Sequence, residues 1–135
     1  MEPFLIRIAD LQPSQLYVCR EKLAAVERSI DARERLEPVP IKELDGRLVF
    51  SDGHTRALAA LLRGETKIEA HWEDEPLDWD VYRVCVGWCL AEEIRTVADL
   101  KDRIIAAAEY ETQWIGRCRA MHEEWAGNRH AEETR

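Results

Sequence analysis

The sequence predicts an α/β (α+β) fold, in which a small mixed sheet with packed helices is followed by a C-terminal helical appendage. Strand and helix signals alternate through residues 1–75, whereas residues 76–126 show helical periodicity throughout. The chain has 135 residues, of which 46% are hydrophobic, and this is enough for a single core without disulfides. Residues 127–135 are polar, and we expect a flexible tail there.

The first half opens with an apolar run, Phe4–Ile8, that predicts a strand. An extended segment, Leu11–Gln15, follows it. Apolar residues then recur three or four positions apart, and this spacing predicts a helix over residues 20–31. Its buried face is expected to carry Leu23, Val26 and Ile30.

An Asp-Gly dipeptide at residues 45–46 stands between the apolar runs Val39–Leu44 and Arg47–Phe50. This pattern favours a β-hairpin, because both central residues of a type I′ turn need a positive φ. Residues 54–63 then predict an almost wholly apolar helix buried against the sheet. Lys67–Trp72 is expected to be the last strand of this half.

Three helices are predicted in the second half, each from an apolar stripe. Asp78 is placed to cap the first of them, and Thr96 with Asp99 resembles a capping box that opens the second. The third stripe extends from Tyr110 to Trp125. The apolar positions of the first two helices are Val81, Val84, Cys85, Trp88, Cys89, Val97, Leu100 and Ile104.

The net charge of the chain is −8, and residues 73–135 contribute −7 of it. An acidic balance argues against binding to nucleic acid, since phosphate contacts require a basic face. No apolar run approaches the ~20 residues of a membrane span, and the N-terminus lacks a secretory pattern. We therefore expect a cytoplasmic protein whose four cysteines are reduced thiols.

The segment best suited to ligand binding or catalysis is the junction between Phe50 and the apolar helix that follows it. The first N–H groups of a helix lack intrahelical acceptors and carry partial positive charge, which attracts anions such as phosphate. A glycine here allows close approach of a ligand, and an arginine offers a planar fork for phosphate oxygens. The alternative is that Ser51 or Asp52 only caps the helix and that Arg56 pairs with an acidic residue at the surface. The candidate phosphate ligands are Ser51, Gly53, His54, Thr55 and Arg56.

The order of these elements, with Gly53-His54-Thr55-Arg56 before an Ala-rich helix, resembles the ParB/sulfiredoxin family over residues 4 to 72. The resemblance implies that the motif binds the phosphates of a nucleotide such as ATP, ADP or CTP, with Mg²⁺ where the ligand is a triphosphate. Gln15 and Arg20, on the segment expected to face the loop, are further candidates for base or phosphate contacts. The Asp52-Gly53-His54 form is nearest to the small-molecule kinase branch.

The resemblance leaves catalysis open. His54 stands where sulfiredoxins have their reactive cysteine, and no acid occupies the position at which the kinase branch has its general base. Asp52 and His54 are the residues that could act in catalysis instead. The two function classes are a phosphotransferase or nucleotide hydrolase, and a non-catalytic interaction or regulatory module. DNA binding or nuclease activity is a third option, which the acidity disfavours.

Two further groups of residues have alternative interpretations. Cys85, Cys89, Cys118 and His122 lie at i, i+4 spacings that could bind zinc, although packing of reduced thiols in the core explains them better. The five tryptophans either pack the helices onto the sheet or anchor a partner. A partner protein, or a second copy of the chain, would bind through the C-terminal helices.

Overall fold

The structure is a computed structural model that describes the backbone of residues 2–133 and the side chains of residues 2–126. The predicted tail 127–135 lies outside the described side chains. The elements of the first half are β1 (Phe4–Arg7), a short 3₁₀ turn (Ile8–Asp10), β2 (Leu11–Gln12), β3 (Val18–Cys19), α1 (Arg20–Asp31), β4 (Val39–Leu44), β5 (Arg47–Phe50), α2 (His54–Leu62) and β6 (Lys67–Trp72).

Five of these strands form one mixed sheet in the order β1-β6-β4-β5-β2. β1 pairs antiparallel with β6 and β4 antiparallel with β5, whereas β4 with β6 and β2 with β5 are parallel. Asp45 and Gly46 both have positive φ, so the predicted hairpin is confirmed. The predicted α+β class is confirmed as well.

The second half contains more than helices. Its elements are α3 (Trp79–Ala91), a 3₁₀ turn (Val97–Leu100), β7 (Ile104–Ile105), α4 (Ala107–Tyr110), a π-helical segment (Glu111–Ile115) and α5 (Gly116–Glu133). The capping box of Thr96 and Asp99 forms as predicted. The prediction that this helix continues to Ile104 is wrong. The chain leaves the 3₁₀ turn after Leu100, and β7 pairs in parallel with β3.

Both halves contribute to one core. A continuous cluster of buried apolar side chains joins the inner face of the sheet to α3 and α5. Its C-terminal members include Cys89 and Leu100, which are both fully buried, and Trp114. The Trp114 ring packs edge to face against Trp88, with the two ring centroids 6.1 Å apart. Trp72 is 38% exposed and lies against Phe4. None of the helices described between residues 2 and 133 combines the length and the apolar composition of a membrane span.

Candidate functional site

The turn between β5 and α2 depends on a glycine. Gly53 has φ +88°, in the left-handed region that L side chains rarely adopt. A Cβ at this position would lie 2.7 Å from Cγ1 of Val39, a fully buried residue of β4. The glycine is therefore required by the turn and by its packing on the sheet. Close approach of a ligand, the role predicted from the sequence, is not needed to explain this glycine.

The side chains of the turn do not cap α2. The Ser51 hydroxyl donates to a Glu73 carboxylate oxygen at 2.9 Å and contacts the Pro40 carbonyl at 3.3 Å. Asp52 is 80% exposed, and one of its carboxylate oxygens lies 4.0 Å from the Arg56 guanidinium. The N-cap residue of the helix is Gly53, which has no side chain to offer. The capping alternative for Ser51 and Asp52 is therefore wrong.

A cavity of about 390 Å³ opens at the N-terminus of α2, and we call it the α2 cavity. Six residues proposed from the sequence line it, namely Gln15, Asp52, Gly53, His54, Thr55 and Arg56. Lys22 of α1 and Tyr110 of α4 complete its polar and aromatic wall, and neither was predicted from the sequence as a site residue. The Lys22 ammonium lies 5.4 Å from the centre of the Tyr110 ring, within range of a cation–π contact.

Two of the proposed residues lie elsewhere. The Arg20 guanidinium reaches the Ile104 carbonyl at 3.5 Å and lines neither this cavity nor the one described below. Ser51 lies on the far side of the turn, where its carbonyl accepts a hydrogen bond from the Tyr82 hydroxyl. Neither residue belongs to the α2 cavity, so their expected phosphate contacts are not supported.

His54 is the most unusual polar group of the site. Its side chain is only 3% exposed, and Nε2 accepts a hydrogen bond from the Ser14 amide at 2.9 Å. Burial lowers the pKa of His54 to about 4, so the ring is neutral at pH 7 and carries its proton on Nδ1. Nδ1 has no hydrogen-bond partner among the described residues.

This arrangement changes the role expected of His54. The ring nitrogen that could accept a proton already binds the Ser14 amide, so a general-base role is not supported. The remaining Nδ1–H is a buried donor, and a buried donor without a partner costs about 1–3 kcal/mol. A ligand oxygen that reached Nδ1 would remove that cost.

Arg56 has a structural role as well as a place in the cavity wall. Its Nη1 donates to the carbonyls of Glu37 and Pro38, at 3.0 and 3.1 Å, and so ties down the segment that leads into β4. Its Nη2 faces Asp52. The side chain is 20% exposed, and it lines the α2 cavity beside Thr55.

A second cavity, of about 320 Å³, lies on the other side of His54, and we call it the α3–α5 cavity. It shares Gln15 and His54 with the α2 cavity, and its wall includes Cys85, Cys118 and His122. The fourth zinc candidate, Cys89, instead donates its S–H to the Gln15 carbonyl at 3.6 Å. No group of three or more metal-binding side chains occurs among the described residues, so the zinc alternative is not supported.

Comparisons with known proteins add only to the fold. No family model matches the chain, and no curated protein matches it either. The structure is similar to a crystal structure of the protein Atu1540 from Agrobacterium tumefaciens, with a TM-score of 0.51 and 18% identity. The match covers 74% of this chain and 61% of that one, so this chain spans about three fifths of the length of Atu1540.

Proposed function

We propose that this protein binds a nucleotide, or another phosphate-bearing ligand, in the α2 cavity. The observation that carries the proposal is the buried Nδ1–H of His54, which lacks a partner at the point where the N-terminus of a nine-residue helix meets a cavity. Helix amides and an unsatisfied neutral donor both favour an anionic oxygen acceptor. The ParB/sulfiredoxin resemblance of the sequence leads to the same ligand class.

The charges around the cavity suit such a ligand. Lys22 and Arg56 place two positive charges on its wall, against the single carboxylate of Asp52 among the described lining residues. This local excess contrasts with the net charge of −8 for the whole chain. A volume of about 390 Å³ lies within the ~300–1,000 Å³ typical of small-molecule sites.

Each lining residue has a role in this proposal. The Thr55 hydroxyl and the α2 amides would donate to phosphate oxygens, and Lys22 would neutralise their charge. The Tyr110 ring and the Gln15 amide are placed to contact a base or another organic group. Asp52, exposed at the rim, is the residue we assign to Mg²⁺ when the ligand is ATP or CTP.

The bound ligand could also react in this cavity, and catalysis would then be a second activity of the same site. With His54 neutral and bonded to Ser14, Asp52 is the remaining catalytic candidate, and its carboxylate beside Mg²⁺ would orient the attacking hydroxyl or water in phosphoryl transfer or nucleotide hydrolysis. If no turnover occurs, the protein is a nucleotide-responsive module whose C-terminal helices contact a partner or a second copy. Its free thiols match the cytoplasmic setting that we propose for it.

Calorimetric titration with ATP, ADP, CTP and pyrophosphate, with and without Mg²⁺, tests binding. We expect Lys22→Ala to weaken the affinity about three- to tenfold, because an exposed charge contact is worth roughly 1 kcal/mol. Lys101→Ala is the matched control, since this exposed lysine lines neither cavity and its loss should leave affinity unchanged. Equal affinity of wild type and Lys22→Ala for every ligand, or binding by none, would refute the proposal. Phosphate release from bound ATP then separates enzyme from module.

A further inference from the structure

The α3–α5 cavity contains a pair of thiols. Cys85 lies on α3 and Cys118 on α5, and both side chains line the wall of the cavity, where each is the largest influence on the pKa of the other. They differ in access to solvent, since Cys85 is 5% exposed whereas Cys118 is only half-buried. Cys118 is therefore the more accessible thiol of the two for a small molecule in the cavity.

The electrostatics of the pair are asymmetric. The neighbouring Cys85 thiol lowers the pKa of Cys118, partial burial opposes this shift, and the Arg117 guanidinium adds to the lowering. The same contact, together with burial, raises the pKa of Cys85. Cys118 is thus the sulfur that ionises first, and only the thiolate is a strong nucleophile. By contrast, burial raises the pKa of Cys89 to about 12.

The backbone around Cys118 is also unusual. The π-helical segment Glu111–Ile115 directly precedes α5, and Trp114 within it lines the same cavity as Cys118. π-Helical turns are rare, and they occur frequently at functional sites. The thiol pair therefore combines an accessible sulfur and an irregular helix in a cavity that shares Gln15 and His54 with the α2 cavity.

We propose that Cys118 is a reactive nucleophile with Cys85 as its resolving partner, and that together they form a dithiol site for small hydroperoxides entering the α3–α5 cavity. The Cys118 thiolate attacks one peroxide oxygen, the O–O bond breaks, and the departing oxygen takes up the proton that Cys118 has lost. The product is a sulfenic acid at Cys118. The Cys85 sulfur then attacks the Cys118 sulfur, and its proton leaves with the hydroxyl group as water. The two sulfurs lose two electrons and the peroxide gains them, which leaves a Cys85–Cys118 disulfide.

The first test treats the folded protein with hydrogen peroxide, blocks the remaining thiols with N-ethylmaleimide, and maps the linked peptides by mass spectrometry without reductant. We expect one intramolecular Cys85–Cys118 linkage, and its formation should survive Cys19→Ser, a control at a buried cysteine outside the cavity. A linkage involving Cys19 or Cys89 instead, or the absence of any disulfide between Cys85 and Cys118, would overturn the proposal.

Two variants at Cys85 separate its two roles. Cys85→Ser keeps a hydrogen-bond donor and loses the resolving sulfur, whereas Cys85→Ala loses both. In each variant a sulfenic acid should accumulate at Cys118 and be trapped by dimedone. Iodoacetamide should alkylate Cys118 several-fold more slowly in Cys85→Ala than in Cys85→Ser, because only serine keeps a polar donor beside the Cys118 sulfur. If Cys118 in folded Cys85→Ser reacts no faster than in urea, Cys118 is not an activated thiol and the proposal fails.

Discussion

Replacing Gly53 by alanine is expected to lower the free energy of unfolding by about 2–5 kcal/mol, the sum of two separate costs. A side chain at φ +88° costs roughly 1–2 kcal/mol, because Cβ then approaches the carbonyl of the same residue. The new Cβ would also lie 2.7 Å from Cγ1 and 2.9 Å from Cβ of Val39, and overpacking of this kind costs about 1–3 kcal/mol. Chemical denaturation monitored by tryptophan fluorescence measures the total.

Gly46→Ala is the matched control for this prediction. Gly46 has a similar φ of +83°, but a Cβ there would meet nothing within 4 Å. The free energy of unfolding of Gly46→Ala should therefore fall by about 1–2 kcal/mol, the cost of the backbone conformation alone. If the two variants lose the same stability, the contact with Val39 is not what requires the glycine. The difference between them measures how tightly the turn before α2 is packed on β4.

The stability of the protein should fall by about 3 kcal/mol between pH 7 and pH 4 on account of His54 alone. Its pKa is about 4 in the folded protein and 6.5 in the unfolded chain, so the unfolded state binds more protons between these values. The stabilisation is complete above pH 6.5 and is lost as the pH falls towards 4. The magnitude follows from about 1.4 kcal/mol for each pKa unit. Denaturation curves across this range measure it.

His54→Gln isolates the contribution of this residue from that of the carboxylates. Glutamine supplies a neutral acceptor for the Ser14 amide but does not titrate. The variant should be less stable than wild type at pH 7, and the difference should shrink by about 3 kcal/mol by pH 4. A constant difference between wild type and His54→Gln would show that His54 is not buried in its neutral form.

The elements with strong local signals could be predicted from the sequence. The Asp-Gly turn and the periodic apolar residues of α1 gave their elements with accurate bounds, because the forces that form them act over a few residues. The strand β7 could not be predicted in this way. Ile104 fits a helical stripe, but pairing with Val18, which is distant in sequence, outweighs that local preference. The π-helical segment likewise has no pattern that an α-helical period would reveal.

The site was predicted where it depends on adjacent residues and missed where it depends on packing. The segment from Asp52 to Arg56 lines the α2 cavity because it is continuous in the chain. On α1, Arg20 was predicted as a site residue, whereas Lys22 is the cation that lines the cavity. Residues two positions apart on a helix face nearly opposite directions, so Arg20 reaches the Ile104 carbonyl whereas Lys22 faces the cavity. Tyr110 is brought in by α4, and no local signal indicates that contact.

The pairing of β3 with β7 affects how the protein folds during its synthesis on the ribosome. Val18 pairs with Ile104, and the Gln12 side-chain amide donates to the Ile94 carbonyl at 2.9 Å. These N-terminal residues therefore cannot form their native contacts until the second half of the chain has been translated. At ~5–20 residues per second, the interval between Val18 and Ile104 is about 4–17 s. During that time apolar surface of the nascent chain stays uncovered. Chaperones that hold emerging polypeptides therefore have a defined window in which to act on this protein.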